Sequence, residues 1–84
     1  MSLGATRNRS RVVVKSISGG ADVRNRLLAM GILPGRLLDV LVNQTYGPVV
    51  VSITGSRMVL GRGLANKVIV EEVDGAKGSA SASW

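Results

Sequence analysis

Leu27-Leu28-Ala29-Met30-Gly31-Ile32-Leu33-Pro34-Gly35 sets the layout of the chain, because it holds the end of a helix, its stop signal and a tight turn. Upstream, Val23, Leu27 and Met30 fall at i, i+4 and i+7, the spacing that puts side chains on one helical face. Gly31 follows the last apolar position and enters the left-handed region without a Cβ penalty, and Ile32 can close back on Leu27 in a Schellman ending. Pro34 prevents the helix from restarting. Leu33-Pro34-Gly35-Arg36 carries Pro and Gly at the central positions of a type II turn, which sends the chain into an extended run.

Outward from this stretch, the 84 residues are enough for one domain. A leader over 1–10 and a tail over 74–84 are small and polar, leaving roughly sixty residues, near the lower limit for independent folding, to supply the core. Hydrophobic residues make up 45% of the chain but aromatics only 2%, so that core must be Val, Leu and Ile, a mixture that suits strands. No apolar run approaches the length of a membrane span, and no secretory signal is visible. Cysteine and histidine are both absent. That excludes disulfides and thiol chemistry, and removes the usual ligands of zinc, copper and iron–sulfur centres.

The net charge of +6 raises nucleic acid and anionic membrane surfaces as partners. Its placement is uneven. Residues 1–36 hold Arg7, Arg9, Arg11, Lys15, Arg24, Arg26 and Arg36 against Asp22 alone, whereas the basic and acidic residues of 37–84 balance. The alternate arginines at 7, 9 and 11 could line an extended arm, and a solvated basic face that keeps a small domain soluble explains the same charges.

In chain order, 1–10 reads as a loose basic leader and 11–73 as the folded domain. The first strand, Arg11 to Ser18, carries Val12 and Val14 alternating with Val13, Lys15 and Ile17, so either a bulge shifts its register or both faces are partly covered. Asp22 is a candidate N-cap for a helix over 22–30. Leu28 lies beside Arg24 on the helical wheel, off the main apolar face. Leu38, Val40 and Val42 form one face of a second strand, and Val49, Val51 and Ile53 one face of a third that Pro48 opens. Gly55-Ser56 is a candidate type II′ hairpin turn leading to Met58 and Leu60. Gly61 to Lys67 can form one helical turn before Val68-Ile69-Val70, and the chain ends in a disordered Gly/Ala/Ser tail over 74–84. Five short strands, one inserted short α-helix and no helical crossovers predict a mainly β protein, a small, partly open antiparallel barrel.

The run Arg26-Leu27-Leu28-Ala29-Met30-Gly31-Ile32-Leu33-Pro34-Gly35, followed by Gly47-Pro48-Val49-Val50-Val51 and then by Leu60, Ala65 and Val68-Ile69-Val70, resembles the FeoA family of the bacterial and archaeal ferrous-iron uptake system. The likeness covers about residues 11–73. Gly61-Arg62-Gly63 stands where family members carry a more charged, helix-favouring segment. The resemblance implies an SH3-like barrel, a cytoplasmic location and work alongside FeoB, the membrane Fe(II) transporter with a cytoplasmic GTP-binding part; contact with the membrane is then expected only through that partner.

Catalytic chemistry finds no support in the sequence. Without His or Cys, a general base would have to be one of five carboxylates or a shifted Lys, and no spacing places one beside a nucleophile. Gly61-x-Gly63 lacks the lysine and hydroxyl residue of a phosphate loop. Met30 and Met58 read as core packing and not as metal ligands, so no cofactor or metal is expected. Leu27, Met30, Gly31, Pro34, Gly35, Gly47 and Pro48 read as residues that define the fold. The candidate partner surface is Arg24, Arg26, Leu28, Arg36 and Tyr46, with charge at the rim and Leu28 and Tyr46 as desolvated anchors. The chain is thus expected to be a non-enzymatic accessory module that docks on the transporter and modulates it, with self-association left open. Two alternatives stand beside it: a basic SH3-like nucleic-acid-binding module, against which the lack of stacking aromatics argues, and a stand-alone relative of the SH3-like domain of iron-dependent repressors.

Overall fold

A computed structural model describes residues 1–44 and 46–73. After a 3₁₀ turn at Leu3–Ala5, the chain runs through β1 (Ser10–Ile17), α1 (Ala21–Ala29), β2 (Leu37–Asn43), β3 (Val49–Ile53), β4 (Ser56–Leu60), the single-turn α2 (Arg62–Ala65) and β5 (Val68–Glu72). The five strands form one antiparallel sheet in the order β4-β3-β2-β1-β5, which is the mainly β architecture expected from the alternation. The expected tail over 74–84 lies outside the described residues.

The ending of α1 follows from its sequence. Gly31 has φ +88°, its N–H donates to Leu28 O at 2.9 Å, and Ile32 N–H donates to Leu27 O at 2.9 Å, the paired bonds of a Schellman motif. Leu27 and Ile32 are both fully buried, so the hydrophobic closure accompanies the hydrogen bonds. Arg36 N–H then reaches Leu33 O at 3.1 Å across a turn in which Gly35 has φ +92°. The start of the helix differs from expectation: the N-cap is Gly20, with no side-chain cap, and Asp22 lies in the first turn, where its charge still faces the positive end of the dipole.

Two bulges explain where simple alternation breaks. Between Val14 and Ser16 the pairing of β1 with β5 shifts by one residue, so Val12 and Val14 are buried, Lys15 and Ser16 face solvent, and Ile17 turns back onto the core. A second shift between Val40 and Val42, where β2 pairs with β3, turns Val42 outward, contrary to the expected common face with Leu38 and Val40. The β3–β4 hairpin turn is Thr54-Gly55 and not Gly55-Ser56. Ile53 pairs with Ser56, and φ is +47° at Thr54 and +89° at Gly55, positive at both central positions as a type I′ turn requires.

The first ten residues are not a loose leader. Leu3 is fully buried in the core, Thr6 is buried with its hydroxyl donating to Leu3 O at 2.7 Å, and Ser2 makes a β-bridge with Ile69. Val70 N–H donates to Met1 O at 2.7 Å, so the N-terminal segment runs along the outer edge of β5. A lone Leu among small polar residues showed no periodicity, yet it fills the space between the sheet and α2.

Candidate functional site

Helix α1 buries Leu27 against the sheet, and this geometry turns the next residue away from it: Leu28 is 56% exposed. Arg24, one turn earlier, shares its side. Together with Ile17 at the end of β1 and Ile32, Leu33 and Pro34 beyond the helix stop, they line an open groove of about 420 Å³, with Ser16 and Asn25 at its margin. Each wall has a local cause: the β1 bulge carries Ser16 and Ile17, the Schellman ending folds Ile32 under the helix, and Pro34 fixes the turn. The result is an apolar trough with one guanidinium beside it, suited to an apolar side chain carried on a segment with acidic character.

Of the predicted partner residues, the structure brings together Arg24 and Leu28 only. Arg26 is exposed but does not line the groove. Arg36 is half-buried, and its carbonyl accepts from Val14 N–H at 2.9 Å, which ties it to β1. Tyr46 is 85% exposed, but it follows the C-terminal end of β2 whereas α1 precedes the strand's start. Seven strand residues separate the two, roughly 20 Å at the usual rise. Tyr46 therefore does not join Arg24 and Leu28 on one surface, as the candidate partner surface had it. Gly47, with φ +101°, and Pro48 precede the start of β3 at Val49.

The arginines of the N-terminal stretch form a separate cleft of about 230 Å³, lined by Arg7, Asn8, Arg9, Ser10 and Arg11 with Glu72 and Val73. Arg9 adopts φ +61°, held by its N–H donating to Val40 O at 2.7 Å. Arg11 Nε donates to Asp39 Oδ1 at 2.8 Å, and that hydrogen bond, aided by the carboxylate's charge, raises the guanidinium pKa above its ordinary value against a small opposing desolvation.

Sequence reasoning missed a pair of polar residues that hold the N-terminal segment down. Arg62 donates from Nε to Gly47 O at 3.1 Å, from Nη1 to Gly4 O at 3.0 Å and from Nη2 to Asn43 Oδ1 at 2.7 Å, with a further contact to Gln44 O. Asn43 donates from Nδ2 to Gly4 O at 3.1 Å and also to Thr6 O. The β2 bulge makes this arrangement, since the shift that turns Val42 out aims Asn43 at the 3₁₀ turn. An arginine isolated between two glycines was the one available signal.

Among the described residues no group of three His, Cys, Asp or Glu side chains is placed to hold a metal, and no helix is long and apolar enough to cross a membrane. The family model described as FeoA domain matches residues 1–72. A protein of Methanocaldococcus jannaschii, provisionally named Fe(2+) transport protein A, is 46% identical over 63 residues, covering 75% of this chain and 76% of the relative. The fold is similar to the crystal structure of an iron uptake regulatory protein, FeoA, with a TM-score of 0.83 and 33% identity over 87% of this chain and 97% of the other. It is also similar to zinc-complexed FeoA from Stenotrophomonas maltophilia, described as a prokaryotic SH3 domain protein, with a TM-score of 0.74 and 22% identity over 84% of this chain and 89% of the other.

Proposed function

Since the chain belongs to the FeoA family, with a mainly β fold similar to the family's SH3-like structures, we propose that it is a non-enzymatic accessory protein of ferrous iron uptake. It acts in the cytoplasm, docking on the cytoplasmic part of the FeoB-type Fe(II) transporter and modulating it. The observation that carries this reading is Leu28, 56% exposed beside Arg24 over a groove whose floor is apolar. A large aliphatic side chain held out by a rigid helix is a suitable anchor for a partner, and an arginine at its margin accelerates association and selects an acidic segment.

The test is a pull-down of the transporter's cytoplasmic part with three folded variants: Leu28→Asp, Tyr46→Ala, and Arg7, Arg9 and Arg11 changed together to Ser. Leu28→Asp should weaken binding at least about tenfold, because a carboxylate in an apolar contact is left without a partner. Tyr46→Ala should bind as the parent does, given its place at the other end of β2. Loss of binding in the triple variant alone would overturn the placement on α1 and favour the cleft at residues 7–11.

A further inference from the structure

The two outer edges of the sheet are finished differently, and among the described residues one is left open. Along β5, Met1 and Ser2 supply hydrogen bonds and a bridge to Val70 and Ile69. Along β4, the last strand in the sheet order, no strand pairs on the outer side among the described residues. The alternation of antiparallel pairing fixes which groups this leaves unmet. The two-residue turn makes Ile53 and Ser56 a hydrogen-bonded pair, so Ser56, Met58 and Leu60 bond to β3 while the N–H and C=O of Arg57 and Val59 point outward. β4 is short and carries the exposed charge of Arg57, which discourages pairing with a like-charged strand but not with an acidic one; it pairs with β3 without a bulge and contains no proline.

The surface beside that edge is apolar. Val59 pairs with Val50 and Val50 with Val42, which makes a row of valines across the outer face of three strands, with Val59 61% and Val42 39% exposed. Residues 40–70 contain Arg57, Arg62 and Lys67 and no carboxylate, and Arg57 makes no ion pair among the described residues. A second copy would bring +6 against +6 and set Arg57 close to its own equivalent. We infer that the β4 edge takes up, by strand addition, an extended acidic segment of a partner protein, with a carboxylate opposite Arg57 and a β-branched residue opposite Val59. This contact is separate from the α1 groove and does not depend on it.

A suitable probe is the peptide acetyl-Glu-Thr-Val-Val-Glu-Thr-amide, followed by amide chemical shifts of the labelled full chain. The expected result is saturable movement of the Arg57 and Val59 amides, with Met58 moving less, and weakening as salt rises from about 20 to about 300 mM. The same peptide with Lys in place of Glu should bind at least about fivefold more weakly. Val59→Pro removes one outward donor and should abolish the effect, while Arg57→Glu, which leaves the backbone untouched, should reverse the preference between the two peptides. Leu28→Asp should leave all of it unchanged. Shifts confined to the α1 groove or to residues 7–11, indifference to peptide charge, or movement of the β4 amides with protein concentration in the absence of peptide would each overturn the assignment, the last by showing the occupant to be a second copy.

Discussion

The β5 and β4 edges offer the same main-chain chemistry, a row of donors and acceptors that something must meet. At β5 the chain meets it with its own first residues, anchored by Leu3 in the core and held from above by Arg62 and Asn43. At β4 nothing in the described residues does so, and the neighbouring valines remain exposed. The cover at β5 is remote in sequence: Met1 and Val70 meet although they lie 69 positions apart in the chain. An edge is therefore a property of the assembled sheet, and whether it is closed is decided by a few residues that need not resemble a strand.

The comparison breaks most severely at Leu3. Replacing it by Ala should cost about 2–4 kcal/mol in a urea denaturation, since it removes buried side-chain volume and loosens the anchor of the whole cover. Amide exchange should then rise first at Val70, whose N–H is held by Met1 O, and only later in β3. Arg62→Ala comes next, with an expected loss of about 1–2 kcal/mol as carbonyl acceptors lose their donors, and the same order of exchange should follow. If β3 and β5 opened together in both variants, the N-terminal segment would be part of the general core and not a cover for one edge.

Arg11→Ala is the smallest change and the internal control. Arg11 pairs with Asp39 between β1 and β2, in the middle of the sheet, with both side chains nearly half exposed. Thermal melts of this variant should be indistinguishable from those of the parent, because solvent screens such a pair. The guanidinium's own titration gives no handle on it either. A guanidinium whose folded pKa is raised contributes stability that is complete below the unfolded value and is lost only as pH rises through the folded one, so across the ordinary range of melts the contribution is constant.

Much of the fold was legible because its decisive signals are local. The Gly31 stop, the turn at Pro34-Gly35 and the alternation of Val49, Val51 and Ile53 depend on neighbours in sequence and appear as read. The misreadings share a cause in long-range geometry. Val42 alternates correctly on paper, but the bulge against β3 rotates it out; Leu3 shows no pattern because its environment is assembled from β5 and α2. Of the candidate site, the pairing of Arg24 with Leu28 could be read from the helical period alone. The displacement of Tyr46 was open to the same reading, since chain order already sets the whole second strand between the helix and its loop; grouping them on one surface overlooked the length of that strand.

Arg62 carries a consequence for how sequences of this kind drift. Among the described residues, three of its four partners are main-chain carbonyls, at Gly4, Gln44 and Gly47, which any residue provides. Substitutions at position 44 leave the carbonyl in place, so no compensating change at 62 is called for, and the guanidinium can persist while much of its surroundings varies. Covariation between columns of an alignment would pass over such a clamp almost entirely, leaving Asn43, its side-chain partner among the described residues, as the position where paired change should surface. Gly4 is constrained for a different reason: a Cβ there would lie 2.1 Å from Asn66 Oδ1, so any larger residue must displace that side chain before it can enter.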